Sequence, residues 1–530
     1  MEGTRSGRRE GRTARRVYIT MAGLALLWGA ILAVAIRQPG YTDAYYYFNA
    51  GQRLVEGKGL TDPYLWTYIN APEALPAPSH TYWMPLESLV AAASMVVFGA
   101  NFGAAQLPSV LCLVGLVTLA SWLGGRLGGT RRHAWIAGLL VLFSGFFTPF
   151  WTTTDTFALY GLIGALALVA MGRGRETGDW RWYGVGGVLA GLAHLTRADG
   201  VLLVVVLLVV VFWPWPAADW RLAIRCGASG IAAYLLVMLP WGVRNVHEIG
   251  TPLPTGGMDT IWLRGYNELV NYPPGVSAAD FFDWGAGNIV RSRWEALTTN
   301  LGTFVAVETW IVLGPFVLAG LWLHRGHPFL LGVMLYALGL HIAMTFLFAY
   351  PGYRGGLFHS SSALLPFWAS AGMIGLDEGI AWAARRRHWR RKQAQAVFGG
   401  ALVVLAVLLS VGVLVSKLSA WNDNGTFYRT LAADLPADTV VMVNDPAALY
   451  YHTGLSGVVV PNADPAVVPE IAARYGVNYL VLDVNRTAPF TGLFLGEDDR
   501  PFLRLVEVYG AETADRADDR RVFEIIGLER

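Results

Sequence analysis

The sequence predicts a polytopic α-helical membrane protein with a smaller α/β unit at its C-terminal end. Three observations carry this expectation. Apolar residues make up 54% of the 530-residue chain and charged residues only 15%, against roughly 25% charged in ordinary soluble domains. The apolar residues gather in runs that approach or exceed the roughly 18 residues expected of a membrane-spanning helix. From residue 417 onward the pattern changes: 17 acidic and 10 basic residues accompany short apolar runs, and none is long enough to span. A wholly soluble enzyme, a disordered chain and a fibrous protein are excluded.

Residues 1–16 carry six arginines. The apolar run 17–36 is too long and continuous for the core of a cleaved signal peptide, so it reads as a retained first span. Further spans are expected at 104–124, 134–150, 155–171, 182–196, 200–213, 227–243, 302–323, 328–349, 357–376 and 396–416, which makes eleven. The run 82–99 is ambiguous, and parity decides it. Basic residues favour the cytoplasmic side of short loops. With eleven spans, the basic stretches at 1–16, 126–133, 173–181, 221–225, 324–327 and 385–392 all fall on one face. If 82–99 crossed, every later basic loop would move outside, so it reads as an interfacial helix. The resulting expectation is a multi-pass protein of the cell membrane with a cytoplasmic N-terminal tail (1–16). The membrane domain is 17–416, with a first outer loop at 37–103 and a large outer loop at 244–301. The tail, 417–530, is extracytoplasmic.

Within the tail, apolar runs at 439–443, 456–460 and 478–482 alternate with helical patterns, the signature of a small α/β unit with parallel strands. It lacks GxGxxG and GxxxxGK[ST], so it reads as a packing or acceptor-docking cap and not as a nucleotide site. A net charge of +2 implies no nucleic-acid partner. Cys112 and Cys226 sit in apolar runs without a CxxC neighbour, which argues against a disulfide framework or a structural zinc site.

Polar residues with chemical potential collect at the outer ends of the spans: Asp43, His80, Asp155, Arg197, Asp199, Arg244, His247 and Arg354. Each has a plain reading in isolation. Asp43 can cap the helix 43–55, and Asp155 can cap span four. Arg244 and Arg354 can snorkel toward headgroups. Arg197 and Asp199 can form a local pair in a tight turn. A transporter would more typically carry its polar groups at mid-membrane within broken helices.

The order of these residues adds information. Asp43 follows span one directly. An aromatic-rich helix and Gly57-Lys58-Gly59 come next, and then Pro78-Ser79-His80-Thr81-Tyr82-Trp83-Met84-Pro85 precedes an amphipathic run. Later come Thr152-Thr153-Thr154-Asp155, Leu195-Thr196-Arg197-Ala198-Asp199-Gly200, Pro240-Trp241-Gly242-Val243-Arg244-Asn245 and Leu364-Leu365-Pro366. This succession over residues 1–380 resembles the GT-C glycosyltransferases, in particular the branch of glycosyltransferase family 39 that holds the protein mannosyltransferases and aminoarabinose transferases.

The resemblance implies a GT-C fold of about eleven transmembrane helices with interfacial helices in the first outer loop. It implies transfer of a sugar from a polyprenyl-phosphate carrier to a glycan, lipid or protein acceptor outside the membrane. Asp43 matches the catalytic aspartate, a general base for the acceptor. Asp155 matches a second acidic position that orients the base or the acceptor. The leaving phosphate calls for cations, and arginine suits it because its planar fork binds two oxygens; Arg244 and Arg354 are the first candidates, with Arg197, Arg264 and His80 beside them. If the reaction is a single displacement, it inverts the anomeric centre. His80, Glu87 and His247 raise the question of a divalent metal, but no HExxH or DxD pattern is present and no cofactor is assigned. Two other classes remain in view: a transporter or flippase of lipid-linked sugars, and a non-catalytic assembly protein that binds through its tail.

Overall fold

The computed structural model describes residues 2–70, 72–213, 219–254, 256–423, 425–510 and 519–527. The chain forms two compact units. The first comprises Met1–Gln38, Met84–Arg244 and Arg293–Ser419; the second comprises Pro39–Trp83, Asn245–Ser292 and Ala420–Arg530.

The first unit is helical. Over the whole chain, six helical stretches are long and apolar enough to cross a membrane among the described residues: Arg15–Ala35, Phe102–Gly128, Phe157–Thr177, Trp220–Ile249, Leu330–Leu347 and Arg391–Asp434. Their ends follow local chemistry. Asn101 opens Phe102–Gly128 by accepting from the Ala104 amide, and Gly129 closes it in the left-handed conformation. Helices approach closely through small residues, as expected where no hydrophobic drive separates helix from lipid. A Cβ on Gly320 would lie 1.9 Å from the Ala371 carbonyl oxygen, and one on Gly375 would lie 2.0 Å from that of Phe316. These two contacts lock Gly314–Leu323 against Leu365–Arg387.

Several expected spans are shorter or broken. The run 134–150 ends as an α-helix at Leu142 and resumes as a tight helix at Gly145–Phe150. The run 302–323 is interrupted: a π-turn at Phe304–Glu308 is followed by Trp310 and Ile311 at positive φ, and Gly314–Leu323 starts afresh. Polar anchoring explains this break. Thr309 Oγ1 donates to the carbonyls of Phe304 and Val305 at 2.9 and 3.1 Å, and Trp310 Nε1 donates to the Phe143 carbonyl at 3.0 Å. Buried Glu308 receives Trp368 Nε1 at 2.9 Å and lies 3.3 Å from His341 Nε2. Ionisable groups are therefore also present inside expected spans, and not at one lip alone. The run 82–99 forms Leu86–Phe98, 13 residues. At about 1.5 Å per residue it is too short for a hydrocarbon core of roughly 30 Å.

The second unit is built on sheets. Strand β1 (Thr61–Asp62) pairs with β3 (Ala77–Pro78), while β2 (Tyr64–Leu65) joins the strands of the tail. These are β4 (Val440–Met442), β5 (Ser456–Val458), β6 (Val477–Leu482), β7 (Leu503–Tyr509) and β8 (Arg520–Ile525), in the order β2-β5-β4-β6-β8-β7. The β2-β5, β5-β4 and β4-β6 pairs are parallel, and β6-β8 and β8-β7 are antiparallel. The expected parallel strands are present. The tail does not form its unit alone, however, because the segment Pro39–Trp83 contributes β2 and a helix.

That helix, Thr42–Val55, packs Tyr45, Tyr46 and Tyr47 into a core with Tyr428, Val441 and Leu449. Polar contacts set its position on the tail helix Pro446–Thr453. Asn49 Nδ2 donates to the Ala447 carbonyl at 2.9 Å, Arg53 Nη1 to Tyr450 Oη at 3.2 Å, and Tyr45 Oη lies 3.1 Å from His452 Nε2.

Candidate functional site

Asp43 lies in the first turn of Thr42–Val55, where the helix dipole favours negative charge. It is not the helix cap that its position alone suggests. The cap position is Tyr41, with no side-chain cap hydrogen bond. Next to Asp43, Thr42 Oγ1 donates to Asp445 Oδ2 at 2.8 Å, while Asp445 Oδ1 accepts from the Ala448 amide at 3.0 Å. One buried tail carboxylate thus caps Pro446–Thr453 and holds the start of the Asp43 helix. Burial pushes the Asp445 carboxyl above the usual carboxylate range, opposed by these hydrogen bonds. His80 belongs to the same unit. It is fully buried at positive φ; its amide donates to Tyr46 Oη at 2.7 Å, and its Nδ1 lies 2.8 Å from Ser79 Oγ.

In the first unit, Asp155 is 1% exposed, between Gly145–Phe150 and Phe157–Thr177. It does not cap the following helix in the usual way. Its Oδ1 accepts from the adjacent Thr156 amide at 2.5 Å, and the helix start has no side-chain cap hydrogen bond. Its Oδ2 lies 2.8 Å from His359 Nε2. The His359 ring stacks on Phe157 with centroids 3.9 Å apart, and its Nδ1 lies 2.8 Å from the Gly355 carbonyl oxygen. Gly355 reaches φ 144°, a value open to glycine, and so turns its carbonyl toward the ring.

The Gly355 carbonyl only accepts, so His359 Nδ1 donates to it, and Nε2 is the ring atom that meets Asp155 Oδ2. A carboxylate and an imidazole at this spacing are also the donor types that a divalent cation uses.

Ser360 extends the cluster. Its hydroxyl donates to Asp199 Oδ2 and accepts from Arg197 Nε at 2.9 Å, and Arg197 Nε lies 3.1 Å from Asp199 Oδ1. Tyr336 Oη donates to the Ser360 carbonyl at 3.3 Å and lies 2.7 Å from Tyr160 Oη. Arg197 and Asp199 are thus the local pair expected of a tight turn, held additionally by Ser360. Arg354 is exposed on Gly352–Gly356, five residues before His359. Arg244 packs over the Trp241 ring at 4.9 Å, and His247 is exposed beside Glu248. The first unit therefore joins Asp155 to His359, and His359 leads through Ser360 to Arg197 and Asp199. His359 and Ser360 were not among the expected site residues.

Residues 79–243 match the family model described as dolichyl-phosphate-mannose-protein mannosyltransferase. The crystal structure of ArnT from Cupriavidus metallidurans bound to undecaprenyl phosphate aligns with a TM-score of 0.58 at 16% identity, covering 96% of this chain and 98% of that one. The fold is that of the GT-C glycosyltransferases. Archaeal oligosaccharyltransferase AglB from Archaeoglobus fulgidus, in complex with an inhibitory peptide and a dolichol-phosphate, aligns with a TM-score of 0.55 at 12% identity, covering 88% of this chain and 69% of that one. No curated protein matches by sequence. The GT-C likeness spans nearly the whole chain, whereas the family match includes His80, Asp155, Arg197 and Asp199 and leaves Asp43 and His359 outside.

Proposed function

We propose that this chain is a membrane glycosyltransferase that moves a sugar from a polyprenyl-phosphate carrier to an acceptor on the outer face of the membrane. The observation that supports this most is the GT-C fold over 96% of the chain, shared with a structure bound to undecaprenyl phosphate. In this reading the chain crosses the membrane eleven times, using the six long helices and the shorter ones. Residues 1–16 are cytoplasmic and 417–530 are outside.

The acceptor hydroxyl attacks the anomeric carbon as Asp43 takes its proton. The bond from that carbon to the phosphate oxygen breaks, and the lipid phosphate leaves with the electron pair. A single displacement of this kind inverts the anomeric centre. A positioned base is typically worth about 10²–10⁴ in rate. Asp155 and His359, in contact with one another, orient the acceptor or the base. Arg354 and Arg244 neutralise the leaving phosphate. Arg197, already engaged by Asp199 and Ser360, holds the framework around it, and buried His80 supports the first outer loop. No cofactor is assigned. The direct test is transfer from a polyprenyl-phosphate sugar by purified protein and by its Asp43→Asn variant; equal transfer by both rejects Asp43 as base.

A second reading, a transporter or flippase of lipid-linked sugars, draws support from buried Glu308 and half-buried His341, a pair in broken helices. It predicts substrate flux in proteoliposomes without any glycosidic product, and loss of that flux in Glu308→Gln.

A further inference from the structure

A shallow, largely open depression of about 340 Å³ lies in the second unit, lined by Arg264, Gly265, Asn267, Glu268, Trp284 and Asn462. It lies at the small end of the ~300–1,000 Å³ range of small-ligand clefts. None of its residues has a role in the mechanism above.

Its frame is fixed to the sheet. Asn462 donates its amide to the Val270 carbonyl at 2.8 Å and its Nδ2 to Asn271 Oδ1 at 2.7 Å. Thr67 Oγ1 donates to the Leu269 carbonyl at 2.5 Å, and Tyr272 Oη to Glu470 Oε1 at 2.8 Å. On this frame the Arg264 amide donates to Glu268 Oε2 at 2.7 Å and Arg264 Nε to Oε1 at 2.8 Å. The guanidinium is therefore oriented, while its two terminal nitrogens make no hydrogen bond among the described residues. The Asn267 amide and the Asn462 side-chain oxygen are likewise uncommitted among those residues.

The chemistry of this lining selects one ligand class. Arg264 and Glu268 cancel in charge, and the two asparagines are neutral, so the pocket has no net attraction for a phosphate. It instead sets planar donors and acceptors beside the indole of Trp284. A saccharide presents apolar C–H faces to an aromatic ring and pairs of neighbouring hydroxyls to planar polar groups. We propose that this pocket binds a neutral saccharide and is a docking site for a glycan acceptor. The acceptor role rests on the function proposed above; saccharide binding does not.

The test is saturation-transfer NMR on the full-length protein in detergent, with neutral di- to tetrasaccharides of mannose, glucose, galactose and arabinose, and with inorganic phosphate as control. At least one saccharide is expected to bind, with affinity reduced about tenfold or more in Trp284→Ala and recovered in part in Trp284→Phe, at unchanged thermal midpoint. Glu268→Gln, which loosens Arg264, is expected to weaken binding several-fold. Absence of saccharide binding, binding unaffected by Trp284→Ala, or binding of phosphate alone would each overturn the site. Binding without any sugar transfer would reject the enzyme but keep the pocket. Transfer whose acceptor KM is unchanged in Trp284→Ala would reject the docking role while the enzyme stands.

Discussion

Thr42 Oγ1 donates a hydrogen bond to Asp445 Oδ2 across 2.8 Å, so a tail residue more than 400 positions away holds the first turn of the helix that carries Asp43. Removing that bond should loosen the base without removing it. Thr42→Val is expected to lower kcat roughly threefold to tenfold, the equivalent of a hydrogen bond worth about 0.5–1.5 kcal/mol, with donor KM unchanged. Thr42→Ser should restore the rate. Asp445→Ala should also lose thermal stability, because the Ala448 amide loses its cap; Asp445→Asn keeps that acceptor and should lose less. Steady-state kinetics and melting curves on the four variants check this.

Asp155 and His359 are expected to act as one unit. Asp155→Asn can keep a hydrogen bond to the ring but removes the carboxylate charge beside it. Each of Asp155→Asn and His359→Gln should slow transfer by about 10²-fold or more, and the double variant should be little worse than either. Single-turnover rates for the four enzymes give the coupling, expected at about 2.7 kcal/mol or more, the roughly 10²-fold that the second substitution no longer costs. Simple additivity would separate their roles.

The arginines should divide by readout. Arg354→Met is expected to raise donor KM by about tenfold with little change in melting, since the side chain is exposed. Arg197→Met should instead lower the melting temperature, because it leaves Asp199 without its ion pair in a largely buried cluster. Thermal shift and donor titration on both variants decide the division.

His452, beside Tyr45 in the second unit, is held down to about 4 by burial and by the charge of Arg429. The unfolded chain therefore binds a proton near pH 6.5 that the folded one refuses until about pH 4. Stability from this group is present above pH 6.5 and falls as the pH drops through that window. Asp445, shifted upward by burial, takes up its proton earlier when folded and works in the opposite direction at the acid end. His452→Gln should flatten the melting profile between pH 6.5 and 4.

Much of this architecture was legible because it rests on short-range pattern. Length and apolar content located the long helices, and strand-length apolar runs located β4, β5 and β6. The antiparallel strands β7 and β8 are not among the expected strands, since Arg504 and Glu507 interrupt the apolar residues of Leu503–Tyr509, and Arg520, Arg521 and Glu524 those of Arg520–Ile525. Two-residue β2 has no period to read. The break after Glu308 depends on side-chain contacts to Trp368 and His341, which spacing along the chain does not reveal. His359 escaped for a related reason: it stands in an apolar run, and its contact with Asp155 joins residues 204 positions apart. The serines that follow it, Ser360-Ser361-Ser362, were the one local sign of a polar site there.

The central claim is that the Asp43 carboxylate accepts the acceptor's proton during sugar transfer. Reconstituted protein and its Asp43→Asn variant, given the same labelled polyprenyl-phosphate sugar, test it most directly. The account predicts that the variant folds and binds the donor with wild-type affinity while transfer falls by about 10²–10⁴. Transfer at the wild-type rate would contradict it.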